Sequence, residues 1–445
     1  MSHYNPYPAY RDSVEEWIGQ VPSHWSHCSL KHVLVETNSG GTPDTDNPEF
    51  WSSESGGTPW VAISDMSFTE LVHGSQKFVT QAGIDNKRLK VFPKGTLLFS
   101  MYASLGHVAE LGMAATTNQA ILGLVPNAEI VDQSFLKRWL QSIQPYLVIG
   151  ASNATQDNLN AEKVKNLPCV KIPLSEQKMI SACIDVEVLR IDALITKKAR
   201  FIELLKEKRQ ALITHAVTKG LDTNVPMRET GVDWIGDVPK HWSVVQVRHV
   251  ATLGSGHTPS RSRPDWWEDC CIPWFTLADI WQVRREGRRF VTETEEMVSE
   301  LGIANSSAVV HPAGSVMLSR TASVGFPAIM GCAMATSQDF AVWRCGSRVV
   351  NEYLYLVLLG MKQELSRLMI GSTHKTIYMP DIEAFRMPLP PVEQQKEIIK
   401  YVGSELQRID TVIAKTLRSI ELLKERRAAF ITAAVTGQID LRESA

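Results

Sequence analysis

Trp17-Ile18-Gly19-Gln20-Val21-Pro22-Ser23-His24-Trp25 is written a second time as Trp234-Ile235-Gly236-Asp237-Val238-Pro239-Lys240-His241-Trp242, 217 residues further along a chain of 445. Two more blocks return at nearly the same distance. Arg190-Ile191-Asp192 reappears as Arg408-Ile409-Asp410, and Ile202-Glu203-Leu204-Leu205-Lys206-Glu207 as Ile420-Glu421-Leu422-Leu423-Lys424-Glu425, each 218 residues on. Solenoid repeats have units of about 20 to 50 residues, so this period means one domain-sized unit duplicated.

Between the matched ends the two copies agree in outline. Gly41-Thr42-Pro43 aligns with His257-Thr258-Pro259, Phe50-Trp51 with Trp266-Trp267, Pro59-Trp60 with Pro273-Trp274 and Asp65 with Asp279. Further on, Gly95, Ser100, Ala103, Ser104, Gly106, Thr117 and Gln119 align with Gly314, Ser319, Ala322, Ser323, Gly325, Thr336 and Gln338. A shared frame with different filling suggests two domains doing the same kind of job on two different targets.

After Leu167-Pro168-Cys169-Val170-Lys171-Ile172-Pro173, and again after Met387-Pro388-Leu389-Pro390-Pro391, proline disappears and Glu, Lys, Leu, Ile and Ala dominate, which predicts a long helix in each half. Alternating steps of four and three pick out Ile184, Val188, Ile191, Ile195, Lys198, Ile202, Leu205, Arg209, Leu212 and Ala216 in the first. The second gives Val402, Leu406, Ile409, Ile413, Thr416, Ile420, Leu423, Arg427, Phe430 and Ala434. A period held near 3.5 residues favours a coiled coil over two helices packed separately on their own domains, where it would drift toward 3.6. The seam implies rods of roughly 50 Å. Polar breaks at matching places, Lys198/Thr416 and Arg209/Arg427, are expected to fix the register.

The middles, 26–166 and 243–386, alternate short β-rich runs with turns. Strands are expected within Thr58–Ile63, Gly95–Ser100, Ala120–Val125, Ser315–Leu318 and Phe340–Trp343, and helices over Gln133–Ile143 and Asn351–Arg367. The fold class is therefore α+β: two tandem, pseudo-symmetric globular units plus the two long helices.

Catalytic signals are missing. No G-x-x-x-x-G-K-[ST], H-E-x-x-H or G-x-S-x-G occurs, and the seven cysteines form no C-x-x-C, so no catalytic residue and no metal ligand is assigned. Asn5-Pro6-Tyr7 lacks the second proline of an amino-methyltransferase motif, and an unstructured terminus is expected there. The first residues have no basic or long apolar segment and no apolar run reaches about 18 residues, so neither a secretory signal nor a membrane span is expected; the expectation is a cytoplasmic protein.

Net charge is only −2, yet the basic residues cluster. Arg284, Arg285, Arg288 and Arg289 stand within six residues, near Arg261 and Arg263, and Lys87, Arg88 and Lys90 form a smaller run in the first copy. Any such run also suits a plain solvated face. Arginine nevertheless fits phosphate and guanine, because its planar fork donates two parallel hydrogen bonds. The arginine run is expected to hold phosphates, with base edges read from Arg320, His374 and Lys375 in the second copy and Ser100, Tyr102, Asn153 and Gln156 in the first. Asn118-Gln119 and Ser337-Gln338 suit scaffold hydrogen bonds equally well.

The W-I-G-x-V-P-x-H-W opening resembles the DNA specificity (S) subunit of type I restriction-modification systems. So do the helix starts Pro173–Ile180 and Pro391–Ile398, the R-I-D and E-L-L-K-E blocks, and the endings after Ala216 and Ala434. The resemblance covers essentially the whole chain. It implies target recognition domains over 1–172 and 221–390, each reading half of a bipartite site in double-stranded DNA, and antiparallel spacer helices over 173–220 and 391–445. It also implies a non-catalytic chain. Two methyltransferase (M) subunits would bring S-adenosylmethionine, and restriction (R) subunits would bring ATP- and Mg-dependent work, so no cofactor is expected here. A fused nuclease or methylase and a pure protein scaffold are the rival classes.

Overall fold

The structure, a computed structural model, describes residues 4–442 except 14, 16, 54, 55, 68, 103, 154–158 and 370–374, and no side chains of 149–153. Two compact units emerge: residues 1–198 with 418–445, and residues 199–417. Each unit holds one globular α+β part and one stretch of each long helix.

In the first unit a five-stranded sheet runs in the order Leu34–Ser39, Ile121–Pro126, Leu97–Ser100, Val108–Leu111, Leu71–Val72, antiparallel except for its last pair. The second unit repeats it as Ala251–Ser255, Phe340–Cys345, Val316–Ser319, Pro327–Met330, Phe290–Val291, again with a parallel last pair. The central strands read as unbroken apolar runs because both faces are covered. Leu97 and Phe99 enter the main core while Leu98 enters a second cluster on the other face; Val316 and Leu318 divide from Met317 in the same way. A smaller sheet flanks each, built on Thr58–Val61 and on Ile272–Phe275.

The helix expected over 133–143 runs on from Gln133 to Asn153, past Pro145, and the one expected over 351–367 breaks at Met361 into Asn351–Gly360 and Lys362–Leu368. The long helices span Leu174–Lys219 and Val392–Val435. At 46 and 44 residues they are about 65–70 Å long, more than the seam alone implied. At their ends the helices enter the globular cores, partly through seam residues: Ile180, Ile184, Phe430 and Ile431 in the first unit, Ile213, Val217, Ile398 and Val402 in the second.

Every apolar seam residue is shielded. Ile184, Val188, Ile191, Ile202, Val402, Ile409, Ile420 and Phe430 are buried, and Ile195, Leu205, Leu212, Leu406, Ile413 and Leu423 are half-buried. The helices run antiparallel: Asp192 meets Arg427 in the first unit, and Arg209 meets Asp410 in the second.

In each unit the W-I-G block neighbours the start of a long helix. Ser26–Ser29, just past the first W-I-G block, pairs with Pro168–Lys171, which leads into the helix; Ser243–Gln246 pairs likewise with Arg386–Leu389. Four residues into each helix a buried glutamine closes the joint. Gln177 accepts from the Asp132 amide and donates to the Ile130 and Ile172 carbonyls; Gln395 accepts from Val350 and donates to Arg348 and Pro390. The amino-terminal segment, expected to be unstructured, is instead packed: Tyr7 is 3% exposed and donates its hydroxyl to Glu176 at 3.0 Å, while the Asp440 amide donates to the Asn5 carbonyl. An aromatic ring whose hydroxyl finds a buried carboxylate is held by both ends, which the apolar content of the segment alone did not reveal.

Candidate nucleic-acid interface

Strand register gathers the second unit's candidate arginines, and Ser100 and Tyr102 of the first unit, at one end of their sheets. In the second unit Ser255 faces Ala341, Ser319 faces Phe340, Leu318 faces Pro327 and Phe290 faces Ile329. The loop 256–263, the hairpin 320–326, the turn 337–339 and the arginine run 284–289 therefore leave the sheet on the same side. An isolated bridge between Thr321 and Thr376 brings Lys375 to the hairpin. In the first unit the same end carries the loop after Ser39, the hairpin 101–107 and the turn 118–120.

The roots of these loops are rigid. Thr42 donates to Gln119 at 2.5 Å and Thr258 to Gln338 at 2.6 Å, so both glutamines serve the scaffold. Gly40 and Gly256 must be glycine, because a Cβ on either would lie 2.0 Å from the carbonyl of Thr117 or Thr336. Trp60 donates to the Gly41 carbonyl and Trp274 to that of His257. The recurring Thr-Pro and Pro-Trp pairs are thus a latch, a role that sequence alignment flagged without explaining. Asp279 is fully buried; burial pushes its carboxyl up, against the Thr276 and Glu295 amides that donate to it.

The charges differ in how far they are already neutralised. Arg261 lies over the Trp267 ring at 3.8 Å and pairs with Glu296; Arg263 pairs with Asp265 at 2.8 Å. Arg288 pairs with Glu286 at 2.7 Å, and Arg289 with Glu352 while lying over Tyr355 at 5.4 Å. Arg284 and Arg285 are exposed, as is Lys375. In the first unit Lys87 and Arg88 are exposed, Arg88 in a left-handed helix cap, and Lys90 pairs with Glu36 at 2.8 Å. Tyr102 is 46% exposed, whereas Ser100 is fully buried at the hairpin root. Lys77 lies over Trp51 and Trp60, a cation on aromatic faces that sequence reading did not single out, although the tryptophans themselves recurred. Gln156 and His374, and the side chain of Asn153, lie outside the described residues.

Among the described residues no cluster of His, Cys, Asp or Glu is arranged to hold a metal ion, and no helix is long and apolar enough to cross a membrane. What the geometry offers is two rigid frames, each presenting its own set of loops.

Comparison with known proteins places that frame. The chain is 22% identical over 438 residues to the type I restriction enzyme MjaIX specificity subunit of Methanocaldococcus jannaschii, covering 96% of each. Over 266 residues it is 21% identical to the EcoR124I/EcoR124II specificity subunit of Escherichia coli, 58% of this chain and 60% of that one. Among solved structures, the HsdS subunit from Thermoanaerobacter tengcongensis superposes with a TM-score of 0.55 at 20% identity, over 94% of this chain and 98% of that one. A chain from work on complex assembly and conformational transition of the type I R-M system gives 0.68 at 18% identity, over 93% and 98%. The family model of the type I restriction modification DNA specificity domain matches twice, at residues 22–203 and 239–422, and the chain belongs to that family.

Proposed function

We propose that this chain is the non-catalytic sequence reader of a type I restriction-modification enzyme. Each unit reads one half of a bipartite double-stranded DNA target, and the helix pair sets the gap and docks two methyltransferase subunits, with restriction subunits joining that core. S-adenosylmethionine, ATP and Mg belong to those partners, and the assembly works in the cytoplasm beside the chromosome.

The observation that carries this reading is one scaffold with two different loop sets. The hairpin root holds Met101 and Tyr102 in the first unit and Arg320 and Thr321 in the second, on the same hydrogen bonds. Different loops on a shared frame suit recognition of two different sequences. An outward apolar patch supports docking: Val186 and Leu189, on the first helix within the first unit, are 69% and 70% exposed. The counterparts of these two residues, Ser404 and Gln407, are polar.

The test is co-expression of the full chain with its methyltransferase subunit, followed by mapping of methylated adenines. A two-part motif with a fixed gap is expected. Methylation or cleavage by the purified chain alone would establish the fused-enzyme reading, and an assembled complex without DNA affinity would establish the scaffold reading.

A further inference from the structure

Four arginines at the loop end of the second sheet, Arg261, Arg263, Arg288 and Arg289, already face a carboxylate. Arg320 does not. Among the described residues its guanidinium has no ion-pair partner, and its Nε is buried without a hydrogen bond. The nearby acid, Asp339, is taken up by the Ser337 hydroxyl at 2.9 Å. A half-buried arginine with an unpartnered Nε is costly to keep unless a planar acceptor arrives to use the fork.

Its mounting is rigid on both sides. The Arg320 amide donates to the Asp339 carbonyl at 2.8 Å, and its carbonyl accepts from the Ile377 amide at 2.9 Å. Thr321 bridges Thr376, and the Ala322 amide donates to the Lys375 carbonyl at 2.9 Å. The fold does not require the charge. In the first unit the matching residue is Met101, whose amide makes the same bond to Ala120 at 2.9 Å and whose side chain is 4% exposed. Arg284, Arg285 and Lys375 are exposed and suit phosphates, which need positive charge and little geometry. Arg320 is clamped by its backbone beside small residues, which suits a partner with two acceptors at fixed spacing. Guanine presents O6 and N7 in that way in the major groove.

We propose that Arg320 reads a guanine in the half-site bound by the second unit. This rests on the DNA-reading function proposed above. The experiment uses the full chain co-expressed with its methyltransferase subunit. The methylated motif is mapped for the wild type, for Arg320→Ala and for Arg320→Gln, and competition binding is measured on duplexes carrying that motif and its single-base changes. The wild-type motif should contain a G·C pair at which both variants lose discrimination by about 5- to 150-fold, with the other half-site unchanged. If Arg320→Ala fails to assemble, Arg320→Gln, which keeps the aliphatic stem and a neutral amide donor but stops two bonds short of the guanidinium Nη atoms, decides the matter. Variants that keep the wild-type motif, or that weaken all duplexes alike with a shallower salt dependence, would overturn the assignment while leaving the proposed function standing. A wild-type complex with no two-part motif would overturn both.

Discussion

Arg427 lies against Asp192, Nε to Oδ1 3.2 Å, and the counterpart pair formed by residues 218 positions away, Arg209 and Asp410, stands at 3.6 Å. The two arginine breaks in the heptad seam are therefore each one half of an interhelical ion pair, joining a seam arginine to the aspartate of an R-I-D block, whereas the Thr416 break donates only to the Val412 carbonyl of its own helix. Arg427 does more, because its Nη2 also donates to Glu70 at 3.0 Å.

Arg427→Ala should lower stability by about 1–3 kcal/mol, since it removes charged hydrogen bonding from a half-buried network. Arg209→Ala should cost less than about 1 kcal/mol, because its pair is longer and more exposed. Thermal or urea melting of the two variants checks the order; equal losses would mean that the Glu70 contact contributes nothing.

Glu176 accepts from Trp25 Nε1 at 3.1 Å, from the Tyr7 hydroxyl and from His24 Nε2 at 3.0 Å. Its counterpart Gln394 accepts from Trp242 at 2.8 Å and from His241 at 3.1 Å. The second copy thus shows that a neutral acceptor suffices. Glu176→Gln should stay within about 1 kcal/mol of wild type, whereas Glu176→Ala should lose about 2–4 kcal/mol by stranding buried donors. A melt in which the two variants behave alike would show that the Glu176 oxygens are dispensable.

Burial would raise the Glu70 carboxyl, but Arg138, Arg427 and Lys137 outweigh it and hold the group below the ordinary range. A carboxyl depressed in the folded state stabilises fully above its unfolded pKa of about 4.3, and that stability is lost as pH falls through the folded value. Glu70→Gln should therefore flatten the acid side of the stability profile and leave its slope above pH 6 unchanged. Parallel wild-type and variant curves from pH 6 down to 3 would refute the role given to this group.

The duplication, the α+β class and the seam were legible because they rest on recurrence and period, which a sequence displays directly. The interface was legible only in part. Basic runs mark charge, but whether a guanidinium is free depends on acids distant in sequence, as Glu352 is from Arg289 and Glu296 from Arg261. Ser100 and Tyr102 looked alike as polar loop residues, yet strand register buries the first and exposes the second. Nothing in the sequence showed that Tyr7 would find Glu176 across 169 positions.

The two ion pairs also dictate how the spacer can be lengthened. Inserting a heptad after Leu205 alone separates Asp192 from Arg209 by seven more residues while Asp410 and Arg427 keep their spacing, so one pair must break. A second heptad after Ile413, between Asp410 and Arg427, restores both pairs and keeps the seam apolar. Each helix then gains about 10 Å, the length of about three base pairs. The doubly extended chain, assembled with methyltransferase subunits, should methylate a motif with both half-sites unchanged and one to three additional unspecified base pairs between them. The singly extended chain should melt at lower temperature and lose methylation. A doubly extended chain that is folded and active on the original gap would show that helix length does not set the spacer.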